Sequence, residues 1–156
     1  MTRFYSDDKY IYNVDMMYTY LKIFKHEIIS ININNFDYIL TNKRWYNTKT
    51  KINYSINDVI NDPLIDTDKY EKIVISEFKY PIIINNINVV DGLHRVAKAK
   101  LINRKHISAY IFNDKLMKKF IIFRNREGAF DKINKIEPYQ YMEKFFKRFR
   151  NKHDKT

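Results

Sequence analysis

The sequence predicts an α+β fold of the compact α/β kind, a small mixed sheet with flanking helices and a C-terminal helical segment, and three observations carry that prediction. The segment EIISININNF alternates apolar and polar residues at Ile29, Ile31 and Ile33, as a half-buried strand does. The apolar run Ile87, Val89, Val90 is followed, across Asp91 and Gly92, by Leu93, Val96, Ala97 and Leu101 at helical spacing. The segment HISAYIF then supplies a returning strand, so strand, corner, helix and strand follow one another as in a compact α/β unit.

Taken in order, Ile11, Val14, Met17 or Tyr18, and Leu21 predict a first helix over about 9 to 25. After the strand near Ile29, LTNKRWYNTKTKINYS holds the only tryptophan and no clear period, and reads as an ordered loop. Ser55 stands three residues before Asp58, a capping-box start for a short helix that Pro63 must follow. DKYEKIVISEF reads as a second helical stretch with Tyr70, Ile73, Val74 and Glu77 near one face. In YPIIINNINVVDG, two apolar runs flank Asn85 and Asn86, residues that tolerate the positive φ of a tight hairpin. DKLMKKFIIF predicts a helix with Leu116, Phe120 and Phe123 inward. Pro138 opens a last helix with Tyr139, Met142, Phe146 and Phe149 on one face.

A chain of 156 residues that is 45% hydrophobic can form one domain, with the α/β core at about 28–113 and a helical extension at about 114–150. No run of about 18 apolar residues is present, and the N-terminus lacks the order of a signal peptide, so a soluble cytoplasmic protein without a membrane partner is expected. The absence of cysteine excludes disulfides, thiolate catalysis and Cys-based metal sites. The four histidines show no metal-ligand spacing. A net charge of +11 favours nucleotides, nucleic acid or acidic partners. The Ile, Asn, Lys and Tyr excess is what an AT-rich genome produces, and accounts for part of that charge.

Gly92 is one of only two glycines, and it marks a place where the backbone needs room. A helix beginning just after it exposes unpaired N–H groups and the positive end of its dipole, which together favour an anion. His94 and Arg95 belong to the first turn, where partial exposure is expected, and Lys98 lies one turn beyond His94. Asp91 is placed to cap that turn. This donor-rich cluster suits a phosphate better than a metal.

The stretch PIIINNINVVDGLHRVAKAKLINRKHISAYIF resembles the ParB N-terminal/sulfiredoxin-like superfamily, whose members carry a DG-x-HR or related motif at a strand-to-helix corner. The likeness covers roughly residues 55 to 113. It implies a small α/β fold whose corner binds nucleotide phosphates through Gly92, Leu93, His94, Arg95 and Lys98. Leu93 occupies the position of the reacting Cys of sulfiredoxins, which rules out sulfinic-acid reduction. Partition proteins carry G-E-R-R there, and this chain lacks that Glu and first Arg. The D-G-H-H-R of free serine kinase-like members is closest, and implies phosphoryl transfer to a small hydroxyl substrate or nucleotide hydrolysis, with ATP, ADP or CTP as nucleotide. In that reading Asp91 would hold Mg2+ or orient the hydroxyl, and Glu77, with Glu71 behind it, would act as base. The competing reading is a non-enzymatic nucleotide-responsive or nucleic-acid-binding module, in which Lys144, Lys147, Arg148 and Arg150 on the last helix meet phosphates between Phe145, Phe146 and Phe149. A basic amphipathic helix packed on a core fits the same residues.

Overall fold

The computed structural model describes residues 3–133, 135–136 and 138–153, with side chains for all of these except 138, 139, 141 and 150–153. Two short strands, β1 (Phe4–Ser6) and β2 (Tyr10–Asn13), precede helix α1 (Val14–Ile23). The helix expected from about residue 9 therefore gives its first turn to a strand. Asp7 folds the turn before β2 by accepting from the Lys9 and Tyr10 N–H groups at 2.8 and 2.7 Å, and Asn13 caps α1 by accepting from the Met16 N–H at 2.9 Å. Ile11 and Val14 are buried in either conformation, which is why spacing alone does not separate them.

Strand β3 (Ile28–Asn32) runs into a 3-10 turn, Ile33–Phe36, and helix α2 (Asp37–Thr41). The stretch read as a loop holds a hairpin instead, β4 (Trp45–Asn47) and β5 (Ile52–Tyr54), registered Trp45 opposite Tyr54. Three-residue strands carry too few alternations to announce themselves, and their turn residues dominate the local composition. Helix α3 (Ile56–Asn61) starts on the expected capping box of Ser55 and Asp58. After the Pro63–Ile65 turn, Asp66 caps α4 (Thr67–Val74). That helix stops before Glu77. The Ile75 N–H closes the last turn on the Glu71 carbonyl at 3.1 Å, and the Ser76 hydroxyl donates to the Lys72 carbonyl at 3.0 Å.

The hairpin of β6 (Ile82–Asn85) and β7 (Asn88–Asp91) turns through Asn86 at φ 54°. Helix α5 (Leu93–Leu101) and strand β8 (His106–Ile111) follow, and then α6 (Asp114–Met117). The helix expected over DKLMKKFIIF ends there, passes through a 3-10 turn at Lys118–Phe120, and becomes β9 (Ile121–Arg124). The β-branched pair Ile121 and Ile122 favours extension, and β2 supplies a partner, with Ile11 opposite Phe123. Helices α7 (Ala129–Ile133) and α8 (Pro138–His153) complete the chain.

The strands form three sheets where one mixed sheet is expected. The mixed sheet has the order β3-β8-β6-β7, with β6 and β8 parallel and the other pairs antiparallel; β1-β2-β9 and β4-β5 are antiparallel. The separate small sheets arise because β4 and β5 pair with each other, and β1, β2 and β9 among themselves.

Contacts divide the chain into two compact units, one built from Met1–His26 with Phe112–Thr156, the other from Glu27–Ile111. The second packs Phe36, Leu40, Ile56, Ile73, Val96 and Ala109 beneath the mixed sheet and its helices. The first is organised by aromatic rings, among which Tyr20 stacks on Phe149 at 5.5 Å and meets Phe120 edge-on at 5.8 Å. Of the face expected on α8, Phe149 packs inward, whereas Met142 and Phe146 are exposed and Phe145 is the ring that is fully buried. Tyr139, counted on that face, has its side chain outside the described residues. Among the described residues no helix is long and apolar enough to cross a membrane.

Candidate functional site

Gly92 occupies the corner between β7 and α5 at φ 109°, ψ 22°, in the left-handed region. A Cβ there would stand 2.4 Å from Cγ2 of Ile82, so the glycine answers both a backbone and a packing demand. Having no side chain, it leaves α5 without the hydrogen-bonded cap that opens α1, α3 and α4. The first turn of α5 thus starts without a cap from the side chain of its own N-cap residue.

Asp91 is engaged with Arg95. Its Oδ2 lies 2.9 Å from Nη2 of Arg95, with the two side chains only 20% and 15% exposed. The other guanidinium arm of Arg95 donates to the Tyr80 carbonyl and, at 3.0 Å, to the Pro81 carbonyl. Arg95 therefore stitches the chain entering β6 to the corner leaving β7, and it is more buried than a first-turn surface residue. Lys98 likewise donates to the Val74 carbonyl and ties α5 to the end of α4. Glu77 is exposed on the segment after α4. Leu93 is half-buried and packs on the core.

His94 has a different environment. Its ring stacks on Trp45 with centroids 5.7 Å apart and planes inclined by 24°, and Lys69 sets its ammonium 4.7 Å over the other ring of that pair. The Nε2 atom of His94 is buried and has no hydrogen-bond partner among the described residues. Burial, then the positive charges of Lys69 and Lys72, hold the imidazole pKa below its ordinary value against a smaller opposing pull from Asp91. Burial, with Lys72 beside it, also lowers that of Lys69. A neutral ring among cations, with a buried nitrogen unsatisfied, is the arrangement that an anionic oxygen would complete.

The Trp45 ring is held from behind. It meets Tyr54 edge-on at 5.9 Å, and the Tyr54 hydroxyl donates to Asp66 at 2.6 Å. Asp66 accepts the Lys69 N–H through its other oxygen at 3.1 Å, so one carboxylate fixes both the hairpin and the start of α4. Its pKa is depressed chiefly by the Tyr54 hydrogen bond, and burial and Asp66 together push that of Tyr54 up. Beside this assembly opens a polar cavity of about 230 Å3, lined among others by Lys49, Lys69 and Lys72 and by the carboxylates Asp66 and Asp68.

Trp45, Lys69 and Lys72 carry no motif that marks them in the sequence as site residues. The lone tryptophan in a lysine-rich stretch was the available signal, and its hairpin was hidden by the shortness of its strands.

A divalent metal held by the protein does not fit these residues. Asp91 already neutralises Arg95, and no cluster of three or more His, Asp or Glu side chains suited to a metal occurs among the described residues. On α8, Lys144 donates to the Ile122 carbonyl at 3.1 Å and Arg148 to the Lys119 carbonyl at 2.7 Å. Lys147 pairs with Glu143 at 3.3 Å, and the Arg150 side chain lies outside the described residues. Two of the cations assigned to a nucleic-acid face thus anchor the helix to its own unit. No protein-family model, curated protein or solved structure matches the chain.

Proposed function

We propose that Glu27–Ile111 is a ParB/sulfiredoxin-like nucleotide-binding unit in which His94, Lys69 and Lys72 receive the phosphates. The supporting frame is the order β6, β7, α5, β8, with β8 returning parallel to β6 and the DGLHR corner at the start of α5. The observation that carries the proposal is the buried, unsatisfied Nε2 of His94 within the field of two lysines. A phosphate oxygen accepting from that nitrogen satisfies it, and its charge offsets the ammonium groups. Asp91 and Arg95 shape the corner and are not themselves the phosphate donors in this reading. Binding, rather than phosphoryl transfer, is what these residues support: Asp91 is committed to Arg95, and Glu77 is exposed outside α4. Any Mg2+ would arrive with the phosphates.

The test is calorimetric titration of ATP, ADP and CTP into the wild type, His94→Gln, Lys69→Gln and Lys72→Gln, with melting curves alongside. Loss of a charge-assisted contact predicts binding weakened by about 10- to 100-fold in each variant. In parallel, the His94 ring is titrated by NMR, where bound phosphate should raise its pKa. Folded variants that bind like the wild type, together with an unmoved imidazole pKa, would overturn the proposal.

A further inference from the structure

We infer that the cavity at the end of the β2–β9 pair binds the phosphodiester backbone of single-stranded nucleic acid, a site in the other unit and independent of the His94 corner. The cavity has a volume of about 450 Å3 and is lined by Lys9, Tyr10, Arg124, Asn125 and Arg126. Three of these five residues are cationic, and no carboxylate lines the cavity among the described residues. Two acids adjoin the lining in sequence, Asp8 and Glu127, both exposed and neither part of it, and Asp7 is spent on the adjoining turn: its oxygens accept from the Lys9 and Tyr10 N–H groups and, at 2.7 Å, from the Tyr12 hydroxyl.

The cations are held together by the fold, although they lie far apart in sequence. Tyr10 stands opposite Arg124 in the sheet register. Asn125 then clasps the same turn, its N–H donating to the Lys9 carbonyl at 2.8 Å and its amide to the Asp7 carbonyl at 2.6 Å. That clasp fixes the β9 end against the Lys9 turn and presents two guanidinium groups and an ammonium to one space. Lys9, Arg124 and Arg126 are exposed, so solvent reaches them. Guanidinium forks match phosphate oxygens two at a time.

The chemistry selects a strand over a free anion. The volume falls in the range of sites that hold whole small molecules, about 300–1,000 Å3, and is generous for a bare phosphate. The half-exposed ring of Tyr10 stands in the lining where a base can stack. The unit around the cavity also carries 17 Lys and Arg against 9 Asp and Glu, whereas Glu27–Ile111 carries 12 against 9. A polyanion gains from that surrounding field, and a single nucleotide gains far less.

The experiment is fluorescence anisotropy with a labelled single-stranded oligonucleotide of about 12 nucleotides, from about 50 to 200 mM salt. The full chain is compared with Lys9→Gln/Arg124→Gln/Arg126→Gln, with Arg126→Gln alone, and with a charge-matched control, Lys22→Gln/Lys25→Gln/Lys100→Gln. The triple site variant should bind about 10- to 100-fold more weakly and lose about 2 from the log–log salt slope, the single variant should lose a smaller share, and the control should stay near wild type. His94→Gln should bind as the wild type, which keeps this result separate from that of the nucleotide corner. The inference is overturned if no binding occurs at about 50 mM salt, if the control loses as much as the site variants, or if Arg126→Gln and the triple variant bind unchanged. Tighter binding of the matched duplex, or displacement of the oligonucleotide by equimolar inorganic phosphate or mononucleotide, also overturns it.

Discussion

Asp91 and Arg95 stand four residues apart across the β7–α5 corner and meet at 2.9 Å with both side chains largely withdrawn from water. Because Arg95 also holds the carbonyls of Tyr80 and Pro81, the pair works as a brace across the two ends of the β6–β7 hairpin. Arg95→Ala leaves a largely buried carboxylate and two carbonyls without that donor and should cost about 2–3 kcal/mol. Asp91→Asn keeps an acceptor oxygen and should cost about 1 kcal/mol. Urea denaturation of both variants checks the order of the two losses.

Gly92→Ala should destabilise by about 2–4 kcal/mol, combining left-handed backbone strain with the clash against Ile82. The same substitution at Gly128, where φ is 79° and a Cβ meets nothing within 4 Å, pays the backbone term alone and should cost about 1–2 kcal/mol. Paired thermal melts distinguish them.

His94 imposes a pH dependence of known sign. Its folded pKa lies below the unfolded value of about 6.5, so the unfolded chain binds the extra proton. The stability linked to it is fully present above about pH 6.5 and is lost as the pH falls from there toward the depressed folded value. The difference in unfolding free energy between wild type and His94→Gln, followed from about pH 7.5 to 5, should move against the wild type on acidification.

Asp66 joins two elements, and its removal acts on both. Asp66→Ala deletes the cap of α4 and strands the buried Tyr54 hydroxyl, for an expected loss of about 2–3 kcal/mol. Tyr54→Phe leaves the cap in place and should cost about 1 kcal/mol. The depressed carboxyl contributes stability above its unfolded pKa of about 3.9 that is lost as the pH falls through its folded value. A series of denaturation curves between about pH 5 and 2 should therefore steepen less in the alanine variant than in wild type.

On α8, Arg148→Ala should cost about 1–3 kcal/mol, since the guanidinium is bonded to the Lys119 carbonyl and lies 5.2 Å from the Phe145 ring centre. Lys147→Gln, which loses only an exposed pair with Glu143, should change stability by less than about 0.5 kcal/mol. Chemical denaturation of the two variants separates anchoring cations from solvated ones.

The corner was legible in the sequence because its signals are local. A glycine between an apolar run and a helical period, and a serine three residues before an aspartate, each act within a few residues. The partners of the corner were not legible. Trp45 reaches His94 from a hairpin half a unit away in sequence, and two of the acceptors of Arg95 are backbone carbonyls, which no residue type announces. The five strands that escaped notice, β1, β2, β4, β5 and β9, have three or four residues each, too few to show a period. Ile121 and Ile122 extend rather than coil because a strand more than a hundred residues earlier awaits them.

The register of β3 with β8 sets Ile28 directly opposite Tyr110, so the two ends of Glu27–Ile111 are neighbours in the sheet. That adjacency bears on how the remainder of the chain folds. Pairing β2 with β9 brings Tyr10 to Arg124, a closure that in a disordered chain carries the entropy of a very long loop. Once β3 and β8 have zipped, the intervening segment is a closed excursion, and the loop left to close is only a few short stretches long. Assembly from the middle of the chain toward its ends is the ordering this favours: the middle matures first, and its two flanks, delivered close together, then complete the β1-β2-β9 sheet.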